Sequence, residues 1–351
     1  MVLLKGYRRS TSCLLTLLAS HLLTAYAQSF RPLTVFGASS VFIENKAMYI
    51  TGGTREGTVA NQTFSLDLSS PWTAAAPNFT ELENNRAPMD YQIPSALDKD
   101  QTRWFIVSGK ESYFYDIPRK EWNRRDALAN LYNVTATFLQ ATVDPVSNSL
   151  LIPNGFETTT STSIDSSMMQ YDIVRGTTRS ISMEGGPINR YAASVVWSTY
   201  LNKLVTFGGG LANETFGLVH TYGSSSGWNE MRTANAGPSP RAYHCAVVAN
   251  DGKKMVVFGG RTLHSITFLG DIYVLDLETW AWSAGTPLNS GLNRSSIACG
   301  ASGDYFVSWG GLDQNRRVVA SNYTLLFNIK TMSWTDSFVP PPSLPEEKKS
   351  K

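Results

Sequence analysis

Cysteine is scarce in this chain, with three among 351 residues. Cys13 falls in an N-terminal segment expected to be removed, which leaves Cys245 and Cys299. Two cysteines cannot build a disulfide-rich scaffold, so an apolar core has to hold the fold. Histidine is nearly as rare at four residues. Beyond residue 27 only His220, His244 and His264 remain, and no His/Cys spacing of a zinc site occurs. Neither sign of charge dominates, since 30 Lys and Arg stand against 28 Asp and Glu. A balance of this kind gives no support for nucleic-acid binding, which uses a clustered basic face. After residue 27 no stretch approaches 18 uncharged apolar residues, so no transmembrane helix is expected. No long segment repeats apolar residues at helical spacing either. Tyr, Phe, Trp, Gly, Ser and Thr are abundant instead, which points to strands and turns.

The N-terminus reads as a processing signal. Lys5, Arg8 and Arg9 form a basic region, residues 13–27 (CLLTLLASHLLTAYA) an apolar run, and Ala25-Tyr26-Ala27 an A-x-A cleavage site. The expectation is a signal peptide over 1–27, a folded domain over 28–338, and a disordered proline-rich and charged tail over 339–351. Secretion is the expected destination. Six N-x-S/T sequons, at Asn61, Asn78, Asn133, Asn213, Asn293 and Asn322, suit that route and are the candidate glycosylation sites.

An apolar strand ending in glycine recurs: AMYITGG to Gly53, WFIVSG to Gly109, SLLIPNG to Gly155, KLVTFGG to Gly209, KMVVFGG to Gly260 and YFVSWGG to Gly311. The intervals are 56, 46, 54, 51 and 51 residues. A second series follows in register, each a β-rich segment closing on tryptophan: Trp72, Trp122, Trp228, Trp282 and Trp334. The third unit, MMQYDIVRGTT over 168–178, ends in threonine. Glycine at a strand end permits positive φ and close approach of a neighbour, while tryptophan supplies an apolar plate between units.

These two markers, at a period of about 50 residues, make residues 39–334 resemble the kelch-repeat family. The resemblance implies an all-β, six-bladed kelch-type β-propeller with four antiparallel strands per blade. One unit cannot bury its own faces, whereas six stacked radially can. The five tryptophans are then expected at equivalent positions between blades, and LTVFG (33–37) could pair with the terminal blade to help close the ring.

The resemblance also raises enzymes for comparison. A copper site like that of galactose oxidase needs two histidines, two tyrosines, a tyrosine-linked cysteine and part of an additional C-terminal domain, and that set is missing. His244 and Cys245 are adjacent on a strand and point to opposite faces, so both cannot enter one site. Residues 302–309 (SGDYFVSW) resemble the box of sialidases imperfectly, with Phe306 where glycine belongs. No paired carboxylates or nucleophile elbow appear. The expectation is no catalytic residue, no metal and no cofactor. The alternative is a sugar-processing kelch enzyme, a sugar-acid mutarotase or a degenerate carbohydrate oxidase.

Recognition is expected on one face. In a four-stranded meander the connections from second to third strand, and those between blades, emerge together. Here the former are long, as in 54–61, 156–167, 261–270 and 312–322, while the turns on the other side are short. Long loops on a rigid scaffold commonly bind partners. Arg190, Arg241 and Arg294 recur just before the first strands of blades four, five and six. They either brace the blades or form, with Arg261, His264, Arg316 and Arg317, a cationic rim for an acidic protein or glycan ligand. Cys245 and Cys299 are expected as buried free thiols, because the inner strands of adjacent blades often lie beyond the roughly 4.4–6.8 Å Cα separation of a disulfide.

Overall fold

The computed structural model describes residues 30–88, 90–108, 111–125, 139–153, 167–188, 190–211, 214–249, 252–288, 292–319 and 324–341. The expected signal segment, the tail from 342 onward, most of the loop 156–167, and Asn133, Asn213 and Asn322 lie outside these residues.

Alternating apolar residues in short runs, separated by turns, form six antiparallel sheets in chain order. From the axis outward, blade one is Ser39–Ile43, Ala47–Thr51, Thr63–Asp67 and Phe79–Glu81. Blade two is Ser95–Leu97, Arg103–Ser108, Glu111–Asp116 and Glu121–Arg125, and blade three is Thr142–Asp144, Ser149–Pro153, Ser167–Asp172 and Thr177–Ser182. Blade four is Tyr191–Ser198, Lys203–Leu211, Val219–Gly223 and Gly227–Met231. Blade five is Cys245–Ala249, Lys254–Phe258, Ile272–Asp276 and Ala281–Ala284. Blade six is Ala298–Ser302, Tyr305–Trp309, Thr324–Asn328 and Ser333–Thr335. Among the described residues there is no α-helix. The innermost strands neighbour one another in a closed circuit that returns from blade six to blade one, which makes the six-bladed propeller.

The core lies between blades. On blade five, Val256, Phe258, Ile272 and Val274 pack with Phe306, Leu325 and Phe327 of blade six, while Met255, Val257 and Leu275 pack with Val205, Phe207 and Val219 of blade four. Each strand therefore gives one set of alternate side chains to each neighbour, as its period of two requires. Trp122, Trp228, Trp282 and Trp334 pair with Tyr115, Tyr222, Leu275 and Phe327 from equivalent outer-strand positions. Trp282 meets Phe207 of blade four and Trp334 meets Phe258 of blade five, so the plate faces the preceding blade.

Trp72 departs from the expected equivalence. It lies outside the outer strand of blade one and pairs instead with Phe338 in a short ladder, the rings stacked at 5.0 Å. Phe79 takes the vacated outer-strand position and packs against Trp309 of blade six. The displacement has a physical cause, because closing the ring requires the C-terminal segment Ser337–Phe338 to attach to blade one. The N-terminal segment works on the same seam: Gly311 donates to the Val35 carbonyl at 2.9 Å, and Phe36 bridges Thr54.

The glycine pairs join blades by backbone contact. Gly259 and Gly260 have φ of +67° and +91°. The Gly260 amide donates to the Arg294 carbonyl of the next blade at 2.7 Å, and a Cβ on Gly259 would lie 2.5 Å from that same oxygen. The same amide-to-carbonyl bond links Gly53 to Asp90, Gly209 to Arg241 and Gly311 to Val35.

Candidate functional site

The channel mouth is built by residues at one repeat position. Gly37, Gln92, Ala192, Tyr243 and Ser296 all have positive φ, between 53° and 68°. Their backbones hydrogen-bond in series: Tyr243 donates to the Ala192 carbonyl at 3.0 Å, Ser296 to Tyr243 at 2.9 Å, Gly37 to Ser296 at 2.8 Å and Gln92 to Gly37 at 2.6 Å. Four of the five are not glycine, so strain is held along this arc by the bonds that link its members. Below it the inner strands enclose about 540 Å3, lined in the middle by Val41, Leu97, Val143, Val195 and Val247 and nearer the ends by Gln92, Gln140, Glu44 and Lys99.

The loops that follow the second strands of blades four and five contact the connections that lead into this mouth. Arg241 donates its amide to the Phe216 carbonyl at 3.2 Å, and Arg294 to Leu269 at 3.0 Å, so each second-to-third-strand loop touches the next inter-blade connection. The loop after Gly260 folds back on itself through Thr262 and Thr267 and presents His264 and Ile266 to solvent. The loop after Gly311 is closed by Asp313, which accepts from the Arg317 amide, and it leaves Arg316 and Arg317 exposed.

The three recurrent arginines have separate roles. Arg241 is fully buried and grips Asp271 with two prongs, Nη1 to Oδ1 at 2.6 Å and Nη2 to Oδ2 at 2.9 Å. It also donates to the Gly259 carbonyl and to Ser239. Arg294 is 1% exposed. Burial therefore removes Arg241 and Arg294 from the expected cationic rim, where a ligand would have to displace the core to reach them. Arg190 is also buried, and its guanidinium lies 4.2 Å from the Phe216 ring centroid. Of the predicted rim, Arg261, His264, Arg316 and Arg317 are left at or near the surface.

Sequence reasoning missed the aromatic component. Arg261 lies 4.5 Å from the Tyr243 ring centroid, Tyr243 meets Tyr191 edge-on at 6.2 Å, and Phe36 meets Tyr91 at 6.4 Å. Phe36, Tyr91 and Tyr191 share one repeat position, immediately before the positive-φ residue of the mouth. That recurrence was the available signal. Ile188, Leu211, Leu218 and Ile266, all markedly exposed, lie in the same loops and connections.

His244 and Cys245 point to opposite faces, as expected. His244 Nε2 lies 2.8 Å from Ser194 Oγ of blade four, whereas Cys245 faces blade six. Burial, with the nearby Arg241 charge, pushes the His244 pKa down to about 3. Such an imidazole is a poor base near neutrality, and Ser194 is wholly buried. The pair joins blade four to blade five. Among the described residues no group of three or more His, Cys, Asp or Glu is placed to hold a metal ion, and no helix is long and apolar enough to cross a membrane.

The two cysteines overturn the free-thiol expectation. Cys245 and Cys299 are disulfide-bonded, with Cα atoms 6.5 Å apart, inside the allowed window. Ala298 is the counterpart of Cys245, since Cys245 pairs with Phe258 and Ala298 with Trp309, each just before a glycine pair. Cys299 is thus one residue out of step, and that single step turns its side chain back towards blade five.

Residues 140–350 match the family model of the KLHDC2/KLHL20/DRC7 Kelch-repeats domain. Kelch domain-containing protein 2 of Bos taurus is 31% identical over 172 residues, covering 41% of this chain and 41% of that protein. Kelch domain-containing protein 1 of Mus musculus is 37% identical over 101 residues, 28% of this chain and 23% of that one. The chain spans under half the length of these curated relatives. Among solved structures, that of YjhT superposes with a TM-score of 0.63 at 13% identity, covering 87% of this chain and 98% of the other, a likeness of fold.

Proposed function

Because the chain belongs to the KLHDC2/KLHL20/DRC7 kelch-repeat family, through the match over residues 140–350, we propose that it is a protein-interaction module whose partner docks on the long-loop face over blades four to six. The observation that carries this reading is the composition of that face. It combines aromatic rings (Tyr191, Tyr243), exposed aliphatics (Ile188, Leu211, Leu218, Ile266) and surface cations (Arg261, Arg316, Arg317) on a rigid ring. Aromatic and arginine anchors surrounded by apolar contacts are what binding hot spots use. The cations favour an acidic partner, a protein or a glycoprotein bearing carboxylates.

We place the protein in the secretory route, to be released or held at the cell surface. The signal-like N-terminus and the Cys245–Cys299 bond support this reading, since disulfides persist in oxidising compartments. Pull-down from a cell-surface extract with the purified propeller tests the binding face. A Tyr243→Ala/Arg261→Glu variant should lose partners that a Val146→Glu/Tyr200→Ala variant, altered on the opposite face, retains. Equal capture by both would reject the assignment. N-terminal sequencing of protein collected from culture medium tests the route, with Gln28 expected as the first residue.

A further inference from the structure

Blade four carries a buried positive charge with no hydrogen-bonded carboxylate among the described residues. Arg190 is 9% exposed, and its Nε and Nη1 are buried with no hydrogen-bond acceptor among the described residues. In blade five the matching Arg241 is neutralised by Asp271, one residue before the third strand. The corresponding residue of blade four is Leu218, because Val219 pairs with Phe207 as Ile272 pairs with Phe258. The repeat has kept its cation and dropped its carboxylate.

Among the described residues no other carboxylate takes its place at the guanidinium. His220 is buried on the same face, and burial together with Arg190 depresses its pKa to about 4, so it is neutral near pH 7. Glu230 acts on Arg190 by its charge from a distance: its side chain is 57% exposed, and its ion-pair contact is with His220 Nε2 at 3.7 Å. The Phe216 ring meets the guanidinium with its π face and accepts no N–H in the plane of that group. An ionised group left unpaired away from water is costly, and arginine does not escape by deprotonating.

Arg190 also lines a small cavity between blades three and four. Leu139, Gln140, Pro153, Ala192 and Thr206 are among its other walls, and it holds about 10 Å3. That is about the space of one water-sized sphere. So small a space suits a water molecule or a single-atom ion better than a carboxylate or a phosphate. We infer that the cavity between blades three and four is a chloride site, in which the halide replaces the carboxylate missing from blade four and takes hydrogen bonds from Arg190. Thr206 in the wall supplies a hydroxyl donor.

Bromide, which scatters anomalously and substitutes for chloride, is the probe on native protein. Crystals exchanged into bromide should show an anomalous peak in contact with Arg190. In solution, replacing gluconate by chloride at matched ionic strength should raise the melting temperature by about 2 °C or more and saturate, as binding to the folded state requires. Arg190→Gln should abolish the chloride increment even if it lowers the starting melting temperature. An ordered water with no anomalous signal would overturn the site. So would a bromide peak accompanied by equal melting temperatures in chloride and gluconate, because it would mark binding at crystal concentration only.

Discussion

Arg241 of blade five holds Asp271 by both carboxylate oxygens while donating to the Gly259 carbonyl, so one side chain ties the inter-blade connection to the ends of the second and third strands. The arginine is fully buried and the aspartate side chain about a third exposed. Replacing Arg241 with Ala leaves a carboxylate and a carbonyl without their donor, and should destabilise the protein by about 3 kcal/mol, the lower end expected for breaking a buried pair. Asp271→Asn keeps the shape and one acceptor, and should cost less. Urea unfolding of the two variants checks the order.

The Cys245–Cys299 bond spans 54 residues of sequence and clasps blade five to blade six beside the channel. A cross-link closing a loop of that length restricts the unfolded chain by about 2–4 kcal/mol. A non-reducing peptide map should recover the linked pair, and reduction should lower the unfolding midpoint. Recovery of two free thiols from the native protein would refute the bond.

The period of the fold was legible because two markers recur independently. A glycine pair must end a strand wherever the next blade's carbonyl approaches, as at Gly260 and Arg294. What escaped the sequence were departures from the repeat. Trp72 carries the tryptophan signature, yet its position is decided by Phe338, far away in the chain. Cys299 differs from its repeat counterpart by a single step, which reverses its facing and makes a bond that an average spacing between inner strands argues against. The arginines were found as a series, but whether a carboxylate meets each one depends on the residue before the third strand, Asp271 in blade five and Leu218 in blade four. The channel mouth depends on positive φ at Gln92, Ala192, Tyr243 and Ser296, residues that carry no glycine signal.

Glycan occupancy should divide the sequons by the state of each amide. Asn61 is exposed and uses its side-chain oxygen, accepting from Asn84, and exposed Asn78 donates its amide to Asp67 at a long 3.3 Å, whereas Asn293 is half-buried and donates its side-chain amide to the Phe268 carbonyl at 2.9 Å. A glycan is attached through that nitrogen. In protein from a secretory host, mass spectrometry before and after glycosidase treatment should show occupancy at Asn61 first and none at Asn293. Occupancy at Asn293 alone would contradict the contact.

Acid should weaken the fold through two histidines before it acts on the paired carboxylates. Burial is the main cause at both sites, with Arg241 adding repulsion at His244 and Arg190 at His220, and the folded-state pKa values fall to about 3 and about 4. In the unfolded chain an ordinary histidine titrates near 6.5. Between these limits the unfolded state binds protons that the folded state refuses. The stability gained from keeping both rings neutral is therefore fully present above about pH 6.5 and is lost as the pH falls towards 4. Each histidine can contribute a slope of up to about 1.4 kcal/mol per pH unit in that window. Asp276, held at about 2 chiefly by Lys254, adds its own loss only once the pH drops below about 4, where an ordinary aspartate begins to protonate. Urea unfolding from pH 7 to pH 4 should show stability declining through the upper window in the native protein. His244→Gln removes one titrating group while leaving an amide to meet Ser194, so it should lower stability at pH 7 but flatten the decline. An unchanged slope in that variant would mean that His244 takes up its proton in the folded state as readily as in the unfolded one.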